Sequence, residues 1–280
     1  MNLLSEISRR LQSAYPAGEA RALARIVMED GFNLSQTDIL LGKDKHLSAE
    51  SLARLENIIR RLLLHEPVQY ILGQAQFMGH TFQVRPGCLI PRPETEDLAN
   101  LVLHMRQAAQ SSILDLCTGS GCIAVSLALA LGNQARITAT DISPEALDIA
   151  RANAKRLGAT VDFLSDDLLN PTPQNRRWDI IVSNPPYVRE CEKSGMEANV
   201  LEHEPHLALF VPDNDALRFY KAIARYAQTH LRPGGTVAVE INRFLSQETA
   251  EVFKNHGFIG ISIHNDRYDA PRILQAHKAE

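Results

Sequence analysis

The sequence feature that most constrains the fold is the stretch 179–188, in which a short apolar run meets two consecutive prolines. Residues 180–182 are Ile-Ile-Val, a β-branched composition typical of a strand that is buried on both faces. Neither proline can donate a main-chain N–H and both have a fixed φ, so the strand must end in the tetrapeptide Asn-Pro-Pro-Tyr at 184–187. Because ligands bind at the carboxyl ends of strands in open α/β sheets, this turn is predicted to belong to a ligand-binding site.

The chemistry that suits such a turn is alkylation of a planar nitrogen, whose delocalised lone pair is a poor nucleophile. The Asn184 side-chain oxygen and the Pro185 carbonyl oxygen are two acceptors that can hold both N–H groups of an amide and direct its lone pair towards an electrophile. Tyr187 is placed to stack on the flat acceptor. We predict that Asn184, Pro185 and Tyr187 are catalytic and that, with Pro186, they bind the substrate. An Asn-Pro turn that only ends a strand is the alternative, which the complete tetrapeptide disfavours.

Composition excludes several other classes of protein. A chain of 280 residues with 45% hydrophobic and 22% charged residues suits one or two soluble globular domains. A net charge of -4 gives no basic field, so we expect neither direct nucleic-acid binding nor membrane binding. Four cysteines without Cys-x-x-Cys spacing predict reduced thiols and a cytoplasmic location. No signal peptide, membrane span or metal-ligand spacing is predicted.

The pattern of residues changes twice along the chain. Residues 1–74 have apolar positions at helical spacing, with Ser35 and Ser48 as helix caps, and are predicted to form a small helical substrate-docking domain. Residues 75–90 read as a β-hairpin linker that turns at Gly79 and His80. Residues 91–280 alternate strands and helices and are predicted to form the catalytic domain.

A glycine turn follows the first strand of the catalytic domain. Residues 113–116 are apolar apart from one aspartate, residues 117–122 read Cys-Thr-Gly-Ser-Gly-Cys, and an apolar helix follows to residue 131. This arrangement lets backbone N–H groups approach a ligand closely. The next strand ends in Asp141, roughly twenty residues further on, where a carboxylate accepts hydrogen bonds from ribose hydroxyls. Asp166 and Asp167 follow the third strand and suit an adenine amino group, with a solvated turn acid as the alternative.

Strand-end acids in successive units favour S-adenosylmethionine as the cofactor, because its sulfonium carries the methyl electrophile that the 184–187 turn requires. A nicotinamide is disfavoured, since the glycine turn lacks a third glycine and no arginine follows the strand-end aspartate. The predicted cofactor-binding residues are Cys117, Thr118, Gly119, Ser120, Gly121, Asp141, Ile142, Asp166, Asp167 and Asn184. The polar, acid-rich segment 189–203 is predicted to be a mobile flap over this site.

Several segments together resemble a known family. Residues 115–121, 140–143 and 184–187 resemble class I methyltransferases that modify glutamine amides. Residues 90–96, Ile-Pro-Arg-Pro-Glu-Thr-Glu, and the pair Glu204-Pro205 narrow the resemblance to peptide chain release factor glutamine methyltransferases, over nearly the whole chain. The resemblance implies a Rossmann-like class I methyltransferase sheet behind a small N-terminal helical bundle. It also implies methylation of the glutamine in the Gly-Gly-Gln loop of class 1 release factors.

The resemblance also implies roles for single residues. Thr118, Gly119 and Gly121 would line the methionine part of the cofactor, with Asp141 at the ribose and Asp166 or its neighbour at the adenine. Arg92 and Glu94 are assigned to substrate binding, with a local ion pair between them as the alternative. Three residues depart from the family pattern: Cys117 and Asn242 replace common glycines, and Asp167 replaces a common aromatic residue.

Other functions remain to be weighed against this one. A methyltransferase for a DNA amino group can use the same tetrapeptide, but it must flip a base and usually has a basic surface. A glutamine methyltransferase for a ribosomal protein is a closer alternative. A non-catalytic cofactor-binding module is disfavoured by the intact Asn184 and Tyr187. We expect a monomer.

Overall fold

The computed structural model describes residues 3–105 and 110–280 and divides them into two compact units. One unit extends to Gln74 and also contains Met196–His203. The other comprises Ala75–Gly195 and Glu204–Glu280 and carries the sheet.

The first unit is helical, as its apolar spacing predicts. Its helices up to Gln74 are α1 (Leu3–Leu11), α2 (Ala17–Ile26), α3 (Gln36–Leu40), α4 (Ala49–Leu62) and α5 (Val68–Leu72). Both serine caps are confirmed: Ser35 Oγ accepts the N–H of Asp38 at 3.2 Å, and Ser48 Oγ accepts that of Ser51 at 3.1 Å. Helix α5 lies within the region predicted to be helical, but it has no side-chain cap of the kind that marks the start of α3 and α4.

The second unit begins with a hairpin and continues as alternating strands and helices. The strands are β1 (Gln74–Phe77), β2 (His80–Gln83), β3 (Ser111–Leu116), β4 (Ala135–Asp141), β5 (Val161–Ser165), β6 (Trp178–Ser183), β7 (Val188–Arg189), β8 (Phe210–Val211), β9 (Leu231–Glu240), β10 (Phe258–Asn265) and β11 (Pro271–Lys278). The remaining helices of the chain are α6 (Pro93–His104), α7 (Cys122–Leu131), α8 (Pro144–Leu157), α9 (Ala198–His203), α10 (His206–Leu209), α11 (Arg218–His230) and α12 (Ser246–Asn255).

Seven of the described strands form one sheet in the order β10-β11-β9-β6-β3-β4-β5, while β1 pairs with β2 and β7 pairs with β8. The strands from β9 to β5 are parallel, and β11 is antiparallel to both of its neighbours. From β3 the chain proceeds outward through β4 to β5 and then returns to β6 on the other side of β3. The strand order therefore reverses between β3 and β6, and ligands bind in α/β sheets at such a point. The predicted Rossmann-like methyltransferase sheet is confirmed.

The sheet has apolar layers on both faces, which explains the continuous apolar runs in its central strands. Ile113, Ile180 and Val182 belong to one buried cluster, and Leu114 and Ile181 belong to the other. Neighbouring residues of one strand point to opposite faces, so both faces of β3 and β6 are covered. Helix α7 is apolar on all sides and lies almost wholly within the first cluster.

Helix α6 begins at Pro93, because proline suits the first helical position. Its first turn is held from two sides. Glu96 Oε1 accepts the N–H of Met78 from the β1–β2 turn at 2.8 Å. Arg267, between β10 and β11, contacts the carboxylates of Glu96 and Asp97 at 3.2 and 3.1 Å. These contacts fix the position of Thr95 in the same turn.

Segment 189–203, predicted to be a mobile flap, consists mainly of short regular elements. It continues from β7 into a short 3-10 helix, Glu190–Gly195, and then contains α9. Acids and bases three residues apart pair locally, with Arg189 on Glu192 at 2.7 Å and Lys193 on Glu190 at 2.5 Å. These acidic and basic side chains therefore neutralise each other within the 3-10 helix and its first flanking residue. Movement of this segment stays a prediction.

Asn153 of α8 joins the hairpin to the glycine turn, and its replacement tests this connection. The side chain is fully buried, accepts the N–H of Gln83 at 2.7 Å and donates to the carbonyls of Gln83 and Ser120 at 3.0 Å. Asn153→Ala should lower the free energy of unfolding by about 2–4 kcal/mol, because buried backbone groups lose their partners. Chemical denaturation measures this loss. Arg151→Ala, at an exposed site on the same helix, is the control and should change it by less than about 0.5 kcal/mol.

Candidate active site

A cavity of about 350 Å³ opens at the carboxyl ends of β3, β4 and β6 and at the start of α6. Its volume lies in the range of small-molecule sites, about 300–1,000 Å³. The predicted site residues that line it are Arg92, Cys117, Thr118, Gly119, Ser120, Asp141, Ile142, Asp166, Asp167, Asn184 and Pro186. The predicted site residues outside its lining are Glu94, Gly121, Pro185 and Tyr187. Eleven of the fifteen predicted site residues therefore line the cavity, although they are fewer than half of the 29 residues that form its wall.

The glycine turn after β3 has left-handed backbone at three positions. Cys117, Gly119 and Gly121 have φ values of 60°, 56° and 80°. The value at Cys117 gives a reason for a common glycine there, since a residue with a Cβ in this conformation costs roughly 1–2 kcal/mol. Burial raises the pKa of the Cys117 thiol, so the thiol stays neutral beside the cavity.

The other two positions of the turn have different surroundings. A Cβ at Gly121 would lie 3.0 Å from the Cβ of Ala150, so this glycine allows the turn to pack against α8. A Cβ at Gly119 would meet nothing within 4 Å, and Gly119 lines the cavity. The backbone at Gly119 is therefore open to a ligand.

Asp141, at the end of β4, is bonded to the glycine turn. Its Oδ2 accepts the N–H of Gly119 at 2.8 Å and its Oδ1 accepts that of Ser143 at 2.9 Å. Burial raises the pKa of Asp141, and these two backbone bonds act in the opposite direction. Each carboxylate oxygen has a second acceptor site, so the group can still accept hydroxyl donors from a ligand.

Asp115 supports the same turn from below. Its side chain is fully buried, and its Oδ2 accepts the Thr118 hydroxyl proton at 2.6 Å. Burial raises the pKa of Asp115 to about 7. The hydroxyl of Thr118 is thereby directed into the protein, while the residue itself still lines the cavity.

Asp166 and Asp167 shape the loop after β5. Asp166 Oδ1 accepts both the N–H and the hydroxyl of Thr172 at 2.9 Å, and Asp167 Oδ1 accepts the N–H of Leu169 at 2.9 Å. Ile142 presents an apolar surface to the cavity and is 49% exposed. A flat apolar group bounded by carboxylates would suit this end.

The turn at 184–187 is held by a chain of side-chain hydrogen bonds. Asn184 Nδ2 donates to Thr95 Oγ1 at 3.1 Å, and the Thr95 hydroxyl donates to Glu240 Oε2 at 2.7 Å. The Tyr187 hydroxyl donates to the other oxygen of Glu240 at 2.8 Å. Within the described residues no donor is bonded to Asn184 Oδ1. The acceptor side of this amide is therefore available to a ligand.

Glu240 lies at the end of β9, and its residue is only 2% exposed. Burial raises its pKa, whereas the bonds from Thr95 and Tyr187 and the charge of Arg272 act in the opposite direction. Asn242, which stands in place of a common glycine, donates to the Tyr187 carbonyl at 3.1 Å and to Glu192 Oε1 at 2.8 Å. The strand end of β9 thus holds both the side chain and the backbone of Tyr187.

Arg92 pairs with Glu204 and not with Glu94, so the local ion pair considered from spacing is wrong. Glu204 is 4% exposed and also accepts the N–H of Ile90 at 3.1 Å. Burial explains the choice of partner, because an ion pair that is screened from water is stronger than an exposed one. Leu207 and Ala208, just after Glu204, line the cavity.

The cavity fits S-adenosylmethionine in the chemistry of its wall. It offers open backbone at Gly119, a carboxylate with free acceptor sites at Asp141 and an apolar surface at Ile142. These groups suit an amino-acid part, a ribose and an adenine respectively. Among residues 3–105 and 110–280, no cluster of His, Cys, Asp and Glu could hold a metal ion, and no helix is both long and apolar enough to cross a membrane.

Comparison with known proteins identifies relatives over almost the full length. Residues 2–73 match the family model described as the PrmC N-terminal domain, and residues 97–206 match the methyltransferase small domain. A release factor glutamine methyltransferase of Bacteroides thetaiotaomicron is 46% identical over 273 residues, covering 97% of this chain and 98% of the relative. Its counterpart in Flavobacterium psychrophilum is 39% identical over 280 residues, covering 99% and 98%.

Solved structures support the fold alone, because their identities are low. A methyltransferase of Pyrococcus furiosus has a TM-score of 0.55 at 18% identity and covers 80% of this chain and 100% of its own. The 16S rRNA N2 G1207 methyltransferase of Thermus thermophilus, solved with AdoMet and guanosine, has a TM-score of 0.53 at 19% identity. It covers 73% of this chain and 49% of its own.

Replacement of Gly119 tests whether the glycine turn faces the cofactor. Gly119→Ala should lower the affinity for S-adenosylhomocysteine at least about tenfold, because the new methyl group enters the cavity. Calorimetric titration measures this affinity. Gly158→Ala is the control, since Gly158 also has positive φ with open space around it, but it caps α8 away from the cavity. Both variants should lose about 1–2 kcal/mol of stability. Equal affinity in the two variants would contradict the assignment.

Proposed function

The chain belongs to the release factor glutamine methyltransferase family, and we propose that its 184–187 turn holds the glutamine amide of a class 1 release factor for methylation. The enzyme is an S-adenosylmethionine-dependent methyltransferase. The acceptor glutamine is that of the Gly-Gly-Gln loop. The observation that carries the proposal is the Asn184 amide, whose nitrogen is bonded to Thr95 and whose oxygen is left for a ligand at the cavity.

The turn acts by orientation of the acceptor nitrogen. Asn184 Oδ1 and the Pro185 carbonyl oxygen accept the two N–H groups of the glutamine amide, so the nitrogen lone pair faces the cavity. The bound cofactor supplies a methyl electrophile on its sulfonium. The protein needs no strong base before attack, since the nitrogen becomes acidic only once it is methylated. Tyr187, whose hydroxyl is fixed by Glu240, flanks the flat amide.

Different parts of the cavity wall bind different parts of the cofactor. Thr118, Ser120 and the backbone of Gly119 take the methionine part, and Asp141 accepts the ribose hydroxyls. The adenine lies between Ile142 and the loop that contains Asp166 and Asp167. Gly121 contributes through packing against α8, and Cys117 through the left-handed turn that it allows. Arg92 and Glu94 lie at the entrance for the substrate.

The helical unit, residues 1–74, is proposed to dock the release factor, with the hairpin at 75–90 as the linker to the catalytic domain at 91–280. The relatives are release factor glutamine methyltransferases, and this supports a release factor as the substrate. The net charge of -4 offers no general attraction for nucleic acid. We propose that the enzyme acts as a monomer in the cytoplasm.

Transfer of labelled methyl groups to a purified class 1 release factor tests the substrate. The wild-type factor should accept the label, whereas its glutamine→alanine variant in the Gly-Gly-Gln loop should accept none, because the acceptor nitrogen is gone. Scintillation counting after gel separation measures this difference. Equal labelling of the two factors would contradict the site of methylation. No labelling of either, with cofactor binding intact, would favour a ribosomal protein or DNA as substrate.

Asn184→Ala tests the acceptor role of the turn. The variant should lose at least about 100-fold in kcat, because the amide loses one of two groups that orient it. Its affinity for S-adenosylhomocysteine should change by less than about threefold, since the wall at Asp141 and Gly119 is untouched. Loss of cofactor binding together with activity would instead make Asn184 a cofactor ligand.

A further inference from the structure

Two buried side chains lie on the amide-nitrogen side of Asn184, and one of them, Thr95, also lines the cavity. Thr95 is in the first turn of α6 and Glu240 is at the end of β9, and each residue is 2% exposed. Ser183 pairs with Val239 across β6 and β9, so Asn184, just after β6, and Glu240, the last residue of β9, lie at the same level of the sheet. Thr95 bridges them through its single hydroxyl.

The protons in this bridge leave only one arrangement. In its ionised form, which the charge of Arg272 favours, Glu240 only accepts hydrogen bonds, so the Thr95 hydroxyl must give it its one proton. The lone pair that remains on Thr95 Oγ1 can only accept, and it therefore requires the NH2 group of Asn184. An inverted Asn184 amide would place its oxygen against another oxygen that has no proton to offer. The orientation of Asn184 is thus set by a carboxylate that it does not touch.

We propose that Thr95 and Glu240 are positioning residues for methyl transfer, which make Asn184 present an acceptor and not a donor to the glutamine amide. This inference rests on the proposed role of Asn184. With the amide inverted, its NH2 group would face the NH2 group of the glutamine, and neither could accept from the other. We call the two hydrogen bonds from Asn184 to Thr95 and from Thr95 to Glu240 the relay. The relay decides whether the turn accepts the N–H groups of the glutamine amide or opposes them with its own.

Glu240 also fixes the far side of the turn. Its second oxygen accepts the Tyr187 hydroxyl at 2.8 Å, so one carboxylate controls both ends of the tetrapeptide. The charged groups that act on Glu240 are Arg272, which favours its ionised form, and Glu94, which opposes it. Arg272 is itself held by Asp266 at 2.9 Å. Glu240 reaches Asn184 through the Thr95 hydroxyl but bonds to Tyr187 directly. Replacement of Thr95 therefore breaks the link to Asn184 and leaves the bond to Tyr187.

The test compares Thr95→Val with Thr95→Ser in the full chain, with a purified class 1 release factor as substrate. Valine keeps nearly the shape of threonine but removes the hydroxyl, so kcat should fall about 10- to 100-fold. KM for the release factor and Kd for S-adenosylhomocysteine should change by less than about threefold. Serine restores the hydroxyl and should recover kcat to within about threefold of the wild type. Equal kcat values in the two variants, or a parallel loss of cofactor affinity in Thr95→Val, would overturn the relay.

A double-mutant cycle shows whether Thr95 acts through Asn184. In the Asn184→Ala background, Thr95→Val should reduce the residual single-turnover rate by less than about twofold, since no amide is left to orient. A full additional loss would overturn the relay. If Asn184→Ala is inactive while Thr95→Val has the wild-type rate, the relay fails and the proposed function stands. A wild-type rate in Asn184→Ala would overturn the proposed function and the relay together.

Discussion

The hydrogen bonds accepted by Glu240 join three segments that are far apart in the chain. The carboxylate lies at the end of β9, where its two oxygens meet Thr95 of α6 and Tyr187 of the turn after β6. Because the group is buried, water cannot compete for these bonds, and unpaired oxygens there would be costly. The position of the turn, the orientation of Asn184 and the start of α6 are therefore linked through one side chain.

The cofactor half of the cavity depends on a comparable link. Asp141 ends β4 and accepts the N–H of Gly119, so the carboxylate assigned to the ribose also fixes the turn assigned to the methionine part. Asn153 connects this turn to the hairpin through the carbonyl of Ser120. The two halves meet where β3 and β6 run side by side, with Leu116 paired to Ser183. The reversal of strand order at this point brings the electrophile and the acceptor together.

Much of this architecture follows from short-range patterns in the sequence. The apolar run before the prolines defined β6, the cysteine and glycine turn preceded α7, and the caps at Ser35 and Ser48 began helices as expected. These features depend on residues within one or two turns of each other. The left-handed backbone at Cys117 was not predicted, and the one signal for it was that Cys117 stands where glycine is common. Most of the site residues predicted on the same local grounds line the cavity.

Contacts between segments that are distant in the chain could not be predicted from the sequence, because no local pattern specifies them. Thr95 lies 145 residues from Glu240, and Arg92 lies 112 residues from Glu204, its actual partner. Spacing offered Glu94 as an alternative partner for Arg92, whereas the structure pairs Arg92 with the buried Glu204. The regular structure of the acid-rich segment 189–203 was not predicted for a related reason, since it depends on local pairs such as Arg189 with Glu192.

The most direct test of this account is a crystal structure of the enzyme with S-adenosylhomocysteine and a release factor. The account predicts that the Gly-Gly-Gln glutamine nitrogen lies about 2.7–3.2 Å from both Asn184 Oδ1 and the Pro185 carbonyl oxygen. The Asn184 nitrogen should remain on Thr95. A glutamine amide that lies outside this turn, or that meets the Asn184 nitrogen in place of its oxygen, would contradict the account.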